Sequence, residues 1–201
     1  MRRLKRLFTL KGIGALLSLL LSVPLAIPPA HLAIAIGGTV LLQTQTACGP
    51  SDLSKLHDIL NKTAKTLDTA IDTNGKLYEQ GFYGKVGSVE AVAKLHKGAQ
   101  IIKDAALHLK TALTLAQALT KETFEAGKLA VLDALSKSMA SMPATGAQTL
   151  DLVLQGVATL ISQAVAIVQL FQSSDLPSIR RIQPELKDHI RQFERITEVS
   201  V

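Results

Sequence analysis

From residue 51 onward, apolar positions recur along the chain at intervals of three and four. Leu53, Leu56, Leu60, Thr63, Leu67 and Ala70 form the first such stripe, with His57, Asp58, Lys62, Lys65 and Asp68 off it. This spacing predicts a helix with one face against a core. Ser51 or Asp52 caps its start, and Thr73-Asn74-Gly75 marks its expected end. A second helix is expected from Ser88, as N-cap, to about Leu119. Its stripe of Val92, Leu95, Ala99, Ile102, Ala106, Leu109, Leu113 and Ala116 has a coiled-coil period. Alanine at every other stripe position lets a neighbouring helix approach closely, which favours an antiparallel bundle.

A third helix is predicted over residues 121–142, with Phe124, Val131, Leu135 and Met142 on one side, before "MPATG" breaks the pattern. Thr145 and Gln148 have the spacing of a capping box for a fourth helix that runs to about Phe171. The last segment enters a helix at Pro184, with Ile190, Phe193 and Ile196 apolar. Its five basic and five acidic residues from Gln172 onward indicate a solvated face.

Residues 1–47 follow different rules. Five cations, Arg2, Arg3, Lys5, Arg6 and Lys11, precede an apolar run from Ile13 to Leu42, and no acidic residue occurs before Cys48. This is the layout of an export signal, with a basic start that stays behind and an apolar stretch that enters the translocon. Pro28 and Pro29 interrupt the run and argue against one unbroken spanning helix. A long cleaved signal, an uncleaved anchor and an apolar part of a soluble domain all compete for this segment. The last is weakest, because five unpaired cations have no role in a core.

The chain has a single cysteine. Gln45-Thr46-Ala47-Cys48, followed by Gly49, resembles the lipobox of bacterial lipoproteins. The resemblance rests on the first quarter of the chain. It implies that small residues before the cysteine fit a dedicated signal peptidase and that the Cys48 thiol receives a diacylglycerol group.

Composition narrows the rest. Only 3% of residues are aromatic and tryptophan is absent, which suits close-packed helices better than sheets. The net charge of +6 belongs to the N-terminus: removing its five cations from the 22 basic residues leaves 17 against 16 acidic ones. A body so nearly neutral lacks the basic footprint that nucleic-acid binding requires.

Candidate chemistry is sparse. Residues 81–88, "GFYGKVGS", resemble a phosphate cradle only in glycine content, since Val86 follows Lys85 where a hydroxyl residue is needed, and a connector capped by Ser88 fits better. Tyr78, Phe82 and Tyr83 hold three of seven aromatics and form a possible interaction patch, with burial against the core as the plainer alternative. His57, His96, His108 and His189 show no metal-binding spacing and are expected at the surface, so neither a metal nor a cofactor is expected. No nucleophile–base motif marks an enzyme. Residues 152–171 carry no charge and are long enough to cross a bilayer, yet Gln155, Thr159, Ser162, Gln163 and Gln169 lie along one side, which favours a bundle helix.

The sequence therefore predicts an all-α protein: a signal or anchor over residues 1–47, then one elongated antiparallel bundle of four to five helices over 48–201. The expected function is that of an exported, lipid-anchored, non-enzymatic envelope scaffold or interaction module. Its expected partners are the membrane, another protein or a second copy. The alternative is a membrane-active protein that inserts an apolar hairpin formed by residues 121–171.

Overall fold

A computed structural model describes residues 49–199, within which six α-helices and one 3-10 turn account for nearly the whole backbone. Helix α1 spans Pro50–Glu79, α2 Val89–Gln117, α3 Phe124–Ala140 and α4 Gln148–Leu170. A 3-10 turn, Ser173–Asp175, leads into the short α5, Leu176–Arg181, and then α6, Gln183–Glu198. The fold is all-α, as the periodicity predicts. Cys48 and the whole signal-like segment lie outside the described residues.

The first four helices pack as an up-and-down ring in which α2 meets α3, α3 meets α4, and α4 returns to α1. Helix α6 lies in the seam between α1 and α2, antiparallel to α2: Gln183 bonds Gln117 near one end, and Lys110 bonds Glu194 farther along. At the other end α1 and α2 touch each other directly. There the Asn74 amide donates to the Leu95 carbonyl at 2.9 Å, and Gly98 faces it. A methyl group at position 98 would overlap the Asn74 side chain, so the glycine sets how closely the helices approach.

The stripes predicted for α1 face the core: Leu53, Leu56, Leu60, Thr63, Leu67 and Ala70 are all buried. The buried side of α2 is wider than the predicted stripe. Ala91, Gly98, Ile101, Ala105 and Ala112 are buried too, while Val92 and Leu95 are only half-buried. The reason is that α2 touches three neighbours, and a single a/d seam cannot serve α1, α3 and α6 together. On α6 the buried set is Leu186, His189, Phe193 and Ile196, with Ile190 half-buried.

Three expected boundaries shift, each for a local reason. Helix α1 runs past Thr73-Asn74-Gly75 to Glu79, because Asn74 turns inward and Leu77, two residues beyond Gly75, is buried. That packing outweighs the cost of about 1 kcal/mol for a helical glycine. The helix ends instead at Gly81, whose φ of 74° suits a left-handed cap and lets the Phe82 N–H reach the Leu77 carbonyl. At the other end Gly49 is the N-cap, and the Asp52 carboxylate accepts its N–H at 3.2 Å. Helix α4 is entered from Ala147 instead of through a Thr145–Gln148 box. The Asp151 carboxylate accepts the Thr145 N–H, the Thr145 hydroxyl and the Gly146 N–H, holding the connector against the first turn.

Helix α4 is the uncharged segment, and its orientation follows the predicted polarity. Leu154, Ile161 and Val168 are buried, Leu160 is half-buried, and Gln155, Thr159, Ser162, Gln163 and Gln169 are exposed. Its C-terminal carbonyls, at Gln169 and Phe171, accept bonds of 2.8 and 2.7 Å from the Lys128 ammonium of α3. A cation there suits the negative end of the helix dipole.

Candidate functional site

Two polar constellations interrupt the apolar core, one at the α1–α2 tip and one in the α1–α6 seam. The tip is built around Asn74, which is 1% exposed. Besides its bond to Leu95, the Asn74 Oδ1 accepts the Tyr83 hydroxyl at 2.8 Å. Tyr83 is itself buried, and burial, with Asp151 nearby, raises its phenol above the usual tyrosine range, so the hydroxyl stays a donor. Tyr78 is half-buried and its hydroxyl accepts the Gly87 N–H at 3.0 Å. Phe82 is 59% exposed and meets Tyr83 edge-on, with ring centroids 6.2 Å apart.

The aromatic trio thus divides. Tyr83 and Tyr78 shape the loop from within, and Phe82 faces solvent beside Val86 and Val89, which are also exposed. The loop is the expected connector: Gly84 and Gly87 adopt positive φ, and the Ser88 hydroxyl accepts the Ala91 N–H at the start of α2. The apolar surface at this tip is therefore Phe82, Val86 and Val89. Sequence reasoning missed the two valines because they sit just outside the aromatic cluster.

The seam holds a histidine pair. His57 Nδ1 and His189 Nε2 are 3.0 Å apart, with ring planes tilted by 58°. This corrects the expectation of four surface histidines. His96 is exposed and His108 half-buried, but His189 is 1% exposed and His57 half-buried. The signal was present in part: His189 lies one turn from both Leu186 and Phe193, on the side that α6 buries.

The partners of the pair assign its protons. Asn61 Nδ2 donates to His57 Nε2 at 3.1 Å, so His57 carries its hydrogen on Nδ1 and donates to His189 Nε2. His189 in turn carries its hydrogen on Nδ1, toward Gln192 Oε1 at 3.4 Å. Burial holds the His189 imidazole below the ordinary histidine range; the Gln192 bond opposes this, and the adjacent His57 reinforces it. With both rings neutral, each of the four ring nitrogens has one partner of the right polarity. No lone pair then remains to take a proton from a substrate.

Beside His57 an open groove of about 340 Å³ is lined by Leu53, Ser54, Arg181, Ile182 and Glu185 among others. A second open groove, about 490 Å³, lies between α4 and the 141–147 connector, with Met142, Pro143, Leu152 and Gln155 in its walls. Among the described residues no three metal-ligating side chains converge. No protein-family model matches this chain, and neither a curated protein nor a solved structure matches it.

Proposed function

We propose that this chain is an exported, lipid-anchored, non-enzymatic envelope protein whose helical body presents an interaction surface away from the membrane. The observation that carries the reading is the position of Cys48. Helix α1 begins at Pro50, with Gly49 as its cap, so only one residue separates the lipobox-like cysteine from the bundle. A lipid on Cys48 would tie that end of α1 to the bilayer surface. Helix α1, at 30 residues, is about 45 Å long and carries the Phe82–Val86–Val89 tip to its far end. Exposed apolar side chains at the end of a bundle are the kind of surface that partner proteins bury.

Palmitate labelling and intact mass in a bacterial host test the anchor. The native chain should take up label and lose residues 1–47, and Cys48→Ser should do neither. Unchanged labelling in the variant would sink the assignment.

One observation favours the membrane-active alternative as a second reading. Helix α4 is 23 residues long, long and apolar enough to cross a membrane, and most of it lies outside the buried core. Leu129 on α3 and Leu152 and Leu170 on α4 are exposed. Against it stands the row of exposed glutamines, which is costly in lipid. Carbonate-resistant membrane binding by residues 49–201, abolished by Gln155→Lys, would favour insertion over the scaffold.

A further inference from the structure

We propose that His57, Asn61, His189 and Gln192 form a pH-sensitive latch that closes the C-terminal helix α6 onto α1 when both imidazoles are neutral and releases it when the pair takes up a second proton. This inference is independent of the anchor and of the tip surface.

The geometry is that of a one-way relay. Asn61 donates to His57, His57 to His189, and His189 to Gln192, across a junction whose two halves lie 132 residues apart in sequence. Each step requires a neutral acceptor. A first proton is accommodated on the half-buried His57 Nε2 if the Asn61 amide turns to offer its oxygen. A second has only the His189 Nε2 left, where it would point at the His57 N–H across 3.0 Å. Two imidazolium rings at that distance, one of them buried, are mutually excluded. Once α6 leaves α1, both rings face water and both protonate. The open form therefore binds more protons than the closed one, and acid favours opening.

The surroundings fit a closure that can open. On either side of the pair the α1–α6 seam is grooved: Leu53, Ser54 and Glu185 line one hollow, and Lys65, Asp68 and Gln192 line another of about 430 Å³. On its other flank α6 is held to α2 by the Lys110–Glu194 ion pair and the reciprocal Gln117–Gln183 bonds. The charged groups at the pair are Glu185 and Asp188 on α6 and Arg181 on α5, with the exposed Asp58 next to His57 in sequence. From α2, Lys110 reaches α6 at Glu194. Burial and the adjacent His57 oppose a proton on His189 more than Gln192, Asp188 and Glu185 favour one, which makes the exclusion of a second proton the decisive step. Asp68, farther along near Arg195, is raised by burial, so its protonation favours the closed form and works against the acid response of the pair.

The test is hydrogen exchange of α6 amides in the full-length chain, purified in a non-ionic detergent, from pH 7.5 to 5.5 and corrected for the chemical exchange rate. The α6 opening constant should rise below about pH 6.5, approaching tenfold per pH unit for each extra proton the open form holds, while α3 amides stay unchanged. His57→Gln keeps a hydrogen-bonding group toward His189 but cannot titrate, and should flatten the α6 response. Imidazole NMR of the native chain gives a second reading that needs no variant: Nδ1–H on both rings near pH 7.5, and two well-separated protonation steps. A pH-independent α6, an undiminished slope in His57→Gln, or two uncoupled histidines would each overturn the latch.

Discussion

Removing one oxygen atom from Tyr83 measures how much the α1–α2 tip depends on its buried amide. In Tyr83→Phe the ring still fills its site, but Asn74 Oδ1 loses the hydroxyl that it accepts at 2.8 Å. Asn74 is 1% exposed, so water does not replace the lost donor without disturbing the packing. A buried acceptor left in this state costs about 1–3 kcal/mol, more than the bond itself contributes, because its desolvation is no longer offset. For a domain of this size that corresponds to a Tm lower by roughly 2–4 °C per kcal/mol. Urea unfolding of residues 49–201 gives the difference directly. The second arm is a cycle with Asn74→Leu: with the amide gone, Tyr83→Phe has nothing to orphan and should cost much less. A loss below about 0.5 kcal/mol for Tyr83→Phe, the usual surface range, would refute the argument. So would the same loss in both backgrounds, which would locate the effect in the ring.

Further measurements probe other parts of the bundle. Leu109→Ala, at a site 1% exposed on the central helix, should cost about 2–5 kcal/mol by urea unfolding. Gln155→Lys should leave the stability of the same body within about 0.5 kcal/mol, since that side chain faces outward. Asp151→Ala should cost about 0.5–2 kcal/mol through loss of the connector cap. Burial works to raise the Asp151 carboxyl, but the bonds from Thr145 and Gly146 prevail and hold it below the ordinary value. The native advantage over Asp151→Ala should therefore be full above about pH 4 and fade as acid protonates the folded carboxylate, which unfolding at pH 7 and pH 2.5 compares.

Most of the helices were legible because their periodicity is local. Every position in the α1 stripe is set by neighbours three and four residues away, and all six predicted positions are buried. The failures came where distant residues decide. Asn74 looks like a helix stop until Leu95 and Tyr83 are placed against it. His189 looks like a surface histidine until His57, on a helix made far earlier in the chain, is brought within 3.0 Å. The width of α2's buried side also depends on how many helices surround it, which no single-helix pattern records. Of the site residues expected from sequence, Phe82 is exposed at the tip, Tyr83 and Tyr78 support it from beneath, and Cys48 lies outside the described residues.

The place of α6 between α1 and α2 orders the events of synthesis. A ribosome delivers α1 to α4 first, and these close a ring along the α1–α4, α4–α3 and α3–α2 contacts. The flank where α1 and α2 diverge stays uncovered until α6, the final described helix, arrives to bury Leu186, Phe193 and Ile196 there. Completion of the core is thus a late, non-local step. A chain still emerging holds an open apolar cleft, and a chaperone has until α6 is made to engage it.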